Sequence, residues 1–132
     1  MITETHAMFA AIRAFCLGLP EAHEVEAWER PTFRVRNKIF AMPRERDGAR
    51  PSIWCKAAPG VQMLLVSGDP ETFYAPPYVG PKGWIGIVLD AHADLDYVTS
   101  LLEESYRLVA PKTLVKVLDA APHGRDSSRC SE

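Results

Sequence analysis

The sequence predicts an α+β domain in which an antiparallel sheet of about five strands carries helices on one face. Apolar residues recur at helical spacing at the start of the chain and again near its end. Between these segments, from Glu21 to Lys56, the period changes to two, as in strands with one covered face. Short turns separate the strand segments, which favours antiparallel pairing with the helices packed on one side.

The helical periods predict helices over residues 3–17, 60–67, 94–109 and 111–118. Gly18 is expected to end the first helix, and Asp94 to cap the third. The second helix is the least determined of these, because the apolar run from Val61 to Val66 also suits a buried strand.

Alternation predicts strands over residues 32–36, 38–42, 52–56 and 84–89, with a further edge strand within 22–29. Asn37 occupies a predicted tight turn between the first two. Residues 43–51 are polar and are expected to form an exposed loop. A loop rich in proline and glycine over 75–83 precedes the last strand.

The length of 132 residues predicts a single domain over 1–119, followed by a flexible polar tail over 120–132. Hydrophobic residues make up 47% and charged residues 24%, which argues against a disordered chain. We expect no membrane span and no secretory leader, because neither apolar pattern is present. Cys16, Cys55 and Cys130 are too widely spaced for a disulfide framework, and they favour the cytoplasm.

No constellation of residues indicates catalysis. The four histidines are isolated from one another and from cysteines, so we expect neither a metal nor another cofactor. No nucleophile is paired with a base, and the segment Gly80–Gly83 lacks the helix that would follow a phosphate-binding loop. We therefore expect that the protein is not an enzyme.

The net charge of −2 conceals an uneven distribution. Residues 28–56 carry eight basic and three acidic side chains, whereas the rest of the chain carries seven basic and fourteen acidic ones. A local basic surface on an acidic protein is a footprint for an anionic partner, although the solvated face of a sheet gives the same pattern.

Several segments together resemble the MmcQ/YjbR family of small bacterial proteins. The segments, in chain order, are Trp28–Val35, Lys38–Ala41, Asp69–Tyr74, Pro76–Asp90 and Tyr106–Lys112. The resemblance covers about residues 5 to 118 and implies a frataxin-like (CyaY-like) fold with a double-wing arrangement. One departure is the stretch 43–51, which is longer and more basic than is typical of the family.

The family resemblance implies DNA binding, and the basic segment supplies candidate contacts. The nucleic-acid-binding residues predicted on the hairpins are Arg34, Arg36, Lys38, Arg44, Arg46, Arg50 and Lys56. A two-stranded ribbon fits the major groove, and arginines at a wing tip suit the minor groove. The acidic remainder of the chain, with a pI near 6.1, predicts weak and salt-dependent binding.

Two other interpretations stay open. The first is a protein- or peptide-binding adaptor that uses exposed aromatic anchors, for which the candidates are Tyr74, Trp54, Tyr78 and Trp84, the last being better placed in the core. The second is a small-ligand cleft beside the 75–83 loop, with Lys56, Tyr78, Lys82 and Lys112 as polar lining. That loop is either a lid, through its glycines, or a rigid turn, through its prolines.

Overall fold

The structure, a computed structural model, describes residues 2–27, 30–45, 51–89 and 93–120. Within these ranges the helices are α1 (Ile2–Leu17), α2 (Val61–Gly68), α3 (Leu95–Val109) and α4 (Lys112–Ala120). The strands are β1 (His23–Ala27), β2 (Arg30–Val35), β3 (Lys38–Glu45), β4 (Pro51–Cys55), β5 (Phe73–Tyr74) and β6 (Ile85–Val88).

The strands form one antiparallel sheet in the order β1-β2-β3-β4-β6-β5. The predicted fold class is confirmed, and β1 is the edge strand expected within 22–29. The sheet has six strands rather than about five because Phe73 and Tyr74 pair with β6 as the other edge. A strand of two residues is too short to produce an alternating pattern.

The hairpin between β2 and β3 closes through Arg36 and Asn37, whose φ angles are 51° and 68°. Positive φ at both turn residues matches the twist of a two-residue hairpin, and the predicted turn at Asn37 is confirmed. A β-bulge follows, since Phe33 pairs with Ala41 whereas Arg34 pairs with Ile39. The bulge turns the side chains of β3 so that one set meets the helices and the other the opposite face.

The main core lies between the helices and one face of the sheet, which we call the inner face. Ile12 of α1, Leu102 of α3 and Leu118 of α4 are buried there against alternate strand residues. Tyr106 is fully buried, packs edge-on against Phe40 at 5.6 Å, and donates a hydrogen bond of 2.8 Å to the carbonyl of Pro20. The expected packing of helices on one side of the sheet therefore holds.

One local prediction is confirmed and another needs correction. Residues 61–68 form a helix, as predicted, which excludes the alternative of a buried strand from Val61 to Val66. The predicted loop 43–51 is shorter, because residues up to Glu45 extend β3 and Pro51 opens β4, where they pair with each other. Residues 46–50 and the predicted tail from 121 onward lie outside the described residues.

Candidate functional site

The face of the sheet opposite the helices, which we call the outer face, carries a cavity of about 750 Å³, which also extends to Val109 at the end of α3. Its floor is apolar and consists of Ile39, Met42, Trp54 and Trp84. Cationic side chains stand around this floor: Arg34, Lys38, Arg44, Lys56 and Lys82. Among the described residues that line the cavity, none is acidic.

Hydrogen bonds hold the side chain of Trp54 in the floor. Trp54 Nε1 donates to Tyr74 Oη at 2.7 Å, and that hydroxyl lies 2.6 Å from Ser52 Oγ. The ring of Tyr74 lies against the backbone of Gly86, where a Cβ atom would be 2.4 Å from Cζ of the ring. A larger residue at this position of β6 would therefore displace the ring of Tyr74 from its place beside Trp54.

Arg44 lies across this floor. Its guanidinium carbon is 4.5 Å from the centroid of the Trp54 ring, within the range of a cation–π contact. Its Nη2 is 3.9 Å from Met42 Sδ, while its Nε is buried with no hydrogen-bond partner among the described residues. Burial, and secondarily the charge of Arg30, lower the pKa of Arg44, although an arginine remains charged at any physiological pH.

The described residues offer little compensation for the charge of the other cations of the cavity. Arg34 Nε donates to Thr32 Oγ1 at 3.0 Å, which is a neutral partner. The ion pairs formed among the described residues include none of Lys38, Lys56 and Lys82. The backbone of Lys56 is held in place, since its carbonyl accepts a hydrogen bond from Ser105 Oγ of α3. Among the described residues, no acidic side chain neutralises the positive charge of Lys38, Lys56 and Lys82 through an ion pair.

The loop 75–83 forms one wall of the cavity through Tyr78, Val79 and Lys82. Gln62 Nε2 of α2 donates to the carbonyls of Gly80 and Trp84 at 2.9 and 2.6 Å. Gly80 N–H donates to the carbonyl of Pro76 at 2.8 Å, and residues 80–82 form a 3₁₀ turn. These bonds favour the rigid interpretation of the loop over the lid.

The structure brings most of the predicted site residues together. Six of them line the cavity: Arg34, Lys38, Arg44, Lys56, Tyr78 and Lys82. Arg36 points elsewhere, since its Nε is 2.7 Å from Glu21 Oε1, and this hydrogen bond lowers the pKa of Glu21. Lys112 begins α4 and does not line the cavity, while Arg46 and Arg50 lie outside the described residues.

The structure places the four aromatic candidates in different environments, and only some match the prediction. Tyr78 is 88% exposed, as predicted for a surface residue. Trp54, taken from the sequence as a candidate exposed anchor, is only 6% exposed, and Tyr74 is half-buried. Trp84 is buried as predicted, but it packs in the outer-face cluster rather than the main core. The uninterrupted run Ser52–Cys55, buried throughout, is the sequence signal that both faces of β4 are covered.

A second cavity of about 300 Å³ adjoins the first, because Arg44 lines both. It lies between α1 and β2, and its other basic lining residues are Arg13 and Arg30. These two arginines were not linked to the site by the sequence. Arg13 is paired with Glu24 at 2.6 Å, which leaves the smaller cavity less positive than the larger one.

Other kinds of site are not found in the described part of the chain. No three His, Cys, Asp or Glu side chains there are close enough together to hold a metal ion. No helix in those ranges has the length and apolar character needed to cross a bilayer.

These features define a small α+β protein with an open, cationic sheet face. The YjbR family model matches residues 17–108, and the chain belongs to this family. The chain is similar to the crystal structure of protein DR2400 from Deinococcus radiodurans, which is described by the domain DUF419, with a TM-score of 0.70 and 20% identity over 86% of this chain and 88% of that one. Among curated proteins there is no match. The family resemblance seen in the sequence is thereby confirmed.

Proposed function

We propose that this protein binds nucleic acid through the cationic outer face of its sheet and that it does so without catalysis. The observation that carries the proposal is the convergence of five cations on one concave surface whose described lining includes no acidic residue. Phosphate groups are the usual counterpart of such a surface, because backbone contacts supply most of the affinity for nucleic acids. The role agrees with the DNA binding that the family resemblance implies.

The form of the surface favours a single strand over an intact duplex. The contacts predicted from the sequence were the hairpin tips of a double wing, which would enter the grooves of DNA. At the tip of the β2–β3 hairpin, however, Arg36 is engaged by Glu21, whereas the cations that form no ion pair within the described ranges lie on the concave face. A flexible strand can follow a concave face with its phosphates on the cations, as in other single-strand binders.

The proposal includes a cytoplasmic location. Cys16 and Cys55 are buried free thiols of the main core, which suits a reducing compartment.

The experiment is fluorescence anisotropy with labelled single-stranded and duplex oligonucleotides of roughly 20 nucleotides, at about 50 and 200 mM salt. We expect micromolar binding to the single strand at the lower salt. If about four phosphates are neutralised, the affinity falls about 50-fold at the higher salt. The double variant Lys38→Glu/Lys82→Glu should bind roughly 10-fold more weakly or worse.

The matched control is Lys116→Glu, which reverses a charge on the exposed side of α4, away from the cavity. Its affinity should equal that of the wild type. The control reverses one charge and the double variant two, so a loss in the control that is half that of the double variant on a logarithmic scale would mean that only net charge matters, and the proposed site would be wrong. Absence of binding to either oligonucleotide at low salt would overturn the function itself.

A protein-binding adaptor is the second candidate, and one observation favours it. Met63 and Leu64 of α2 are each 73% exposed, which is unusual for large apolar side chains. If this surface binds a partner, Leu64→Glu should abolish recovery of a stoichiometric protein from native lysate, while Lys38→Glu/Lys82→Glu should leave it intact. The opposite pattern would assign the interaction to the cationic face.

A further inference from the structure

We propose that the outer-face cavity receives one unstacked nucleoside phosphate unit, with its base against Tyr78 and its phosphates on Lys38, Lys56 and Lys82. The inference rests on the proposed nucleic-acid-binding function and adds the chemical group that enters the cavity. The same group occurs in a free nucleotide and in a strand of DNA or RNA. The experiment below separates these two sources.

The size and layout of the cavity carry the first step. A volume of about 750 Å³ lies within the range of small-molecule pockets. A base that is paired and stacked within a duplex cannot reach the floor of this concave surface, whereas an unstacked base can, and such bases are commonly read by aromatic side chains.

The separation of apolar and charged groups carries the second step. The floor of Met42, Trp54 and Trp84 is apolar, and the cations stand around it. An inorganic anion would use the cations and leave the apolar wall and floor unused, while a neutral apolar ligand would leave the cations unpaired. A planar base joined to a phosphate satisfies both, and it also brings an acceptor toward the guanidinium of Arg44, whose Nε lacks a partner among the described residues.

The backbone at Tyr78 carries the third step. Val79 N–H donates to the carbonyl of Pro77 at 2.7 Å, and Tyr78 between them has a φ of 69°. This is a γ-turn with positive φ, the rare and strained form, and a bulky side chain is seldom found in it. The ring of Tyr78 gains no packing in return, since the residue is 88% exposed. Backbone strain that is not offset by internal contacts is typical of functional positions.

The rigidity of the wall carries the last step. Gln62 ties the loop to α2, and Trp84 N–H donates to the carbonyl of Val79 at 3.3 Å. Tyr78 is therefore held at the cavity before any ligand arrives, so little ordering is needed when a base stacks on its ring.

The test compares a labelled single-stranded hexamer with an abasic hexamer that has the same number of phosphates, at low salt. We expect the hexamer with bases to bind about 5- to 150-fold more tightly, the range of one base–aromatic contact. Tyr78→Ala should reduce its affinity to that of the abasic hexamer and leave the abasic affinity unchanged. Tyr78→Phe should keep the full difference, because the ring is retained. Circular dichroism of both variants checks that the fold is intact.

Competition with adenosine monophosphate at millimolar concentration separates the sources. If the nucleotide displaces the hexamer, the free nucleotide is itself a ligand. If it does not, the nucleoside phosphate must belong to a strand. Either result supports the cavity assignment, provided that the hexamer with bases binds more tightly than the abasic hexamer. Binding of the nucleotide without any binding of the hexamer would support the cavity and overturn the proposed nucleic-acid function.

Equal, salt-sensitive binding of the hexamers with and without bases would overturn the inference and leave the proposed function standing. No binding of any of the three probes would overturn both. A base-dependent difference that survives in Tyr78→Ala would show that the base contacts another part of the molecule, and the assignment to this cavity would be wrong.

Discussion

The two faces of the sheet are built from alternate residues of the same strands, yet they differ in almost every physical respect. On β4, Ile53 and Cys55 enter the main core beneath the helices, while Ser52 and Trp54 belong to the outer face. The inner face is closed mainly by apolar packing, with a few buried hydrogen bonds such as that from the Tyr106 hydroxyl to the carbonyl of Pro20. The outer face is held by hydrogen bonds between aromatic and hydroxyl groups and is bordered by cations.

The distribution of ion pairs sharpens this contrast. The pairs among the described residues, such as Arg13 with Glu24 and Arg107 with Glu103 and Asp119, lie elsewhere than at the larger cavity. Exposed pairs contribute little to stability, and unpaired cations contribute still less. The inner face thus contributes most of the stability, and no ion pair within the described ranges occupies the lysines of the outer face.

The largest expected effect is on the inner face. Phe40 is fully buried at the bulge and packs against Tyr106. Phe40→Ala should therefore lower the free energy of unfolding by about 3–5 kcal/mol. Lys82→Ala on the outer face should stay within about 0.5 kcal/mol of the wild type. Urea denaturation of both variants measures this difference. A similar cost for the two would mean that the outer-face cations are structural after all.

A second variant probes the framework of the outer face. Gly86→Ala places a methyl group against the ring of Tyr74 and forces the ring away from Trp54, so we expect a loss of about 1–3 kcal/mol. Near-ultraviolet circular dichroism should change along with the unfolding free energy. Gly68→Ala is the matched control, because no atom lies within 4 Å of the added methyl group and its φ is not in the positive range. If both variants have the same stability, the ring does not depend on that glycine.

The pH dependence of stability tests whether water is excluded from the buried thiols of the inner face. Burial raises the pKa of Cys55 to about 12, and it raises that of Cys16 as well. In the unfolded chain thiols ionise near pH 8.5, so above about that value the unfolded state binds fewer protons and stability falls as pH rises. The slope should reach about 1.4 kcal/mol per pH unit for each thiol.

Urea unfolding at pH 7, 9 and 10 of the wild type and of Cys16→Ala/Cys55→Ala isolates this contribution from other groups that titrate in the same range. The variant should lose less stability between pH 9 and 10 than the wild type. Parallel losses would show that the two thiols are accessible to water in the folded protein.

The inner face was largely predictable from the sequence, because burial on one side leaves a periodic pattern. The long helices α1 and α3 and the strands around Asn37 follow from such patterns. The bulge at Phe40 was not predictable, since the apolar run from Ile39 to Met42 is compatible with either register. Strand β5 was not predicted, because two residues are too few to show an alternating pattern.

The outer face was predictable in composition but not in arrangement. The excess of basic residues between 28 and 56 indicated an anionic partner, and four of the predicted cations in that stretch line the cavity. Arg36 does not line the cavity because it forms an ion pair with Glu21, fifteen residues earlier in the chain. No local sequence pattern reveals this pairing. The stacking of Arg44 on Trp54 likewise depends on the pairing of β3 with β4.

The smallest expected effect concerns Tyr78, where stability and binding should change in opposite directions. Glycine adopts positive φ without the steric cost that a tyrosine incurs, so Tyr78→Gly should raise the unfolding free energy by about 0.5–1 kcal/mol despite the loss of a large side chain. The exposed ring makes too little contact to offset this gain. Thermal and urea unfolding measure the stability, and Tyr78→Ala, which keeps the strained backbone, is the control and should not be stabilised. A destabilised glycine variant would mean that the ring supports the fold of the wall, and the strain at Tyr78 would no longer point to a ligand.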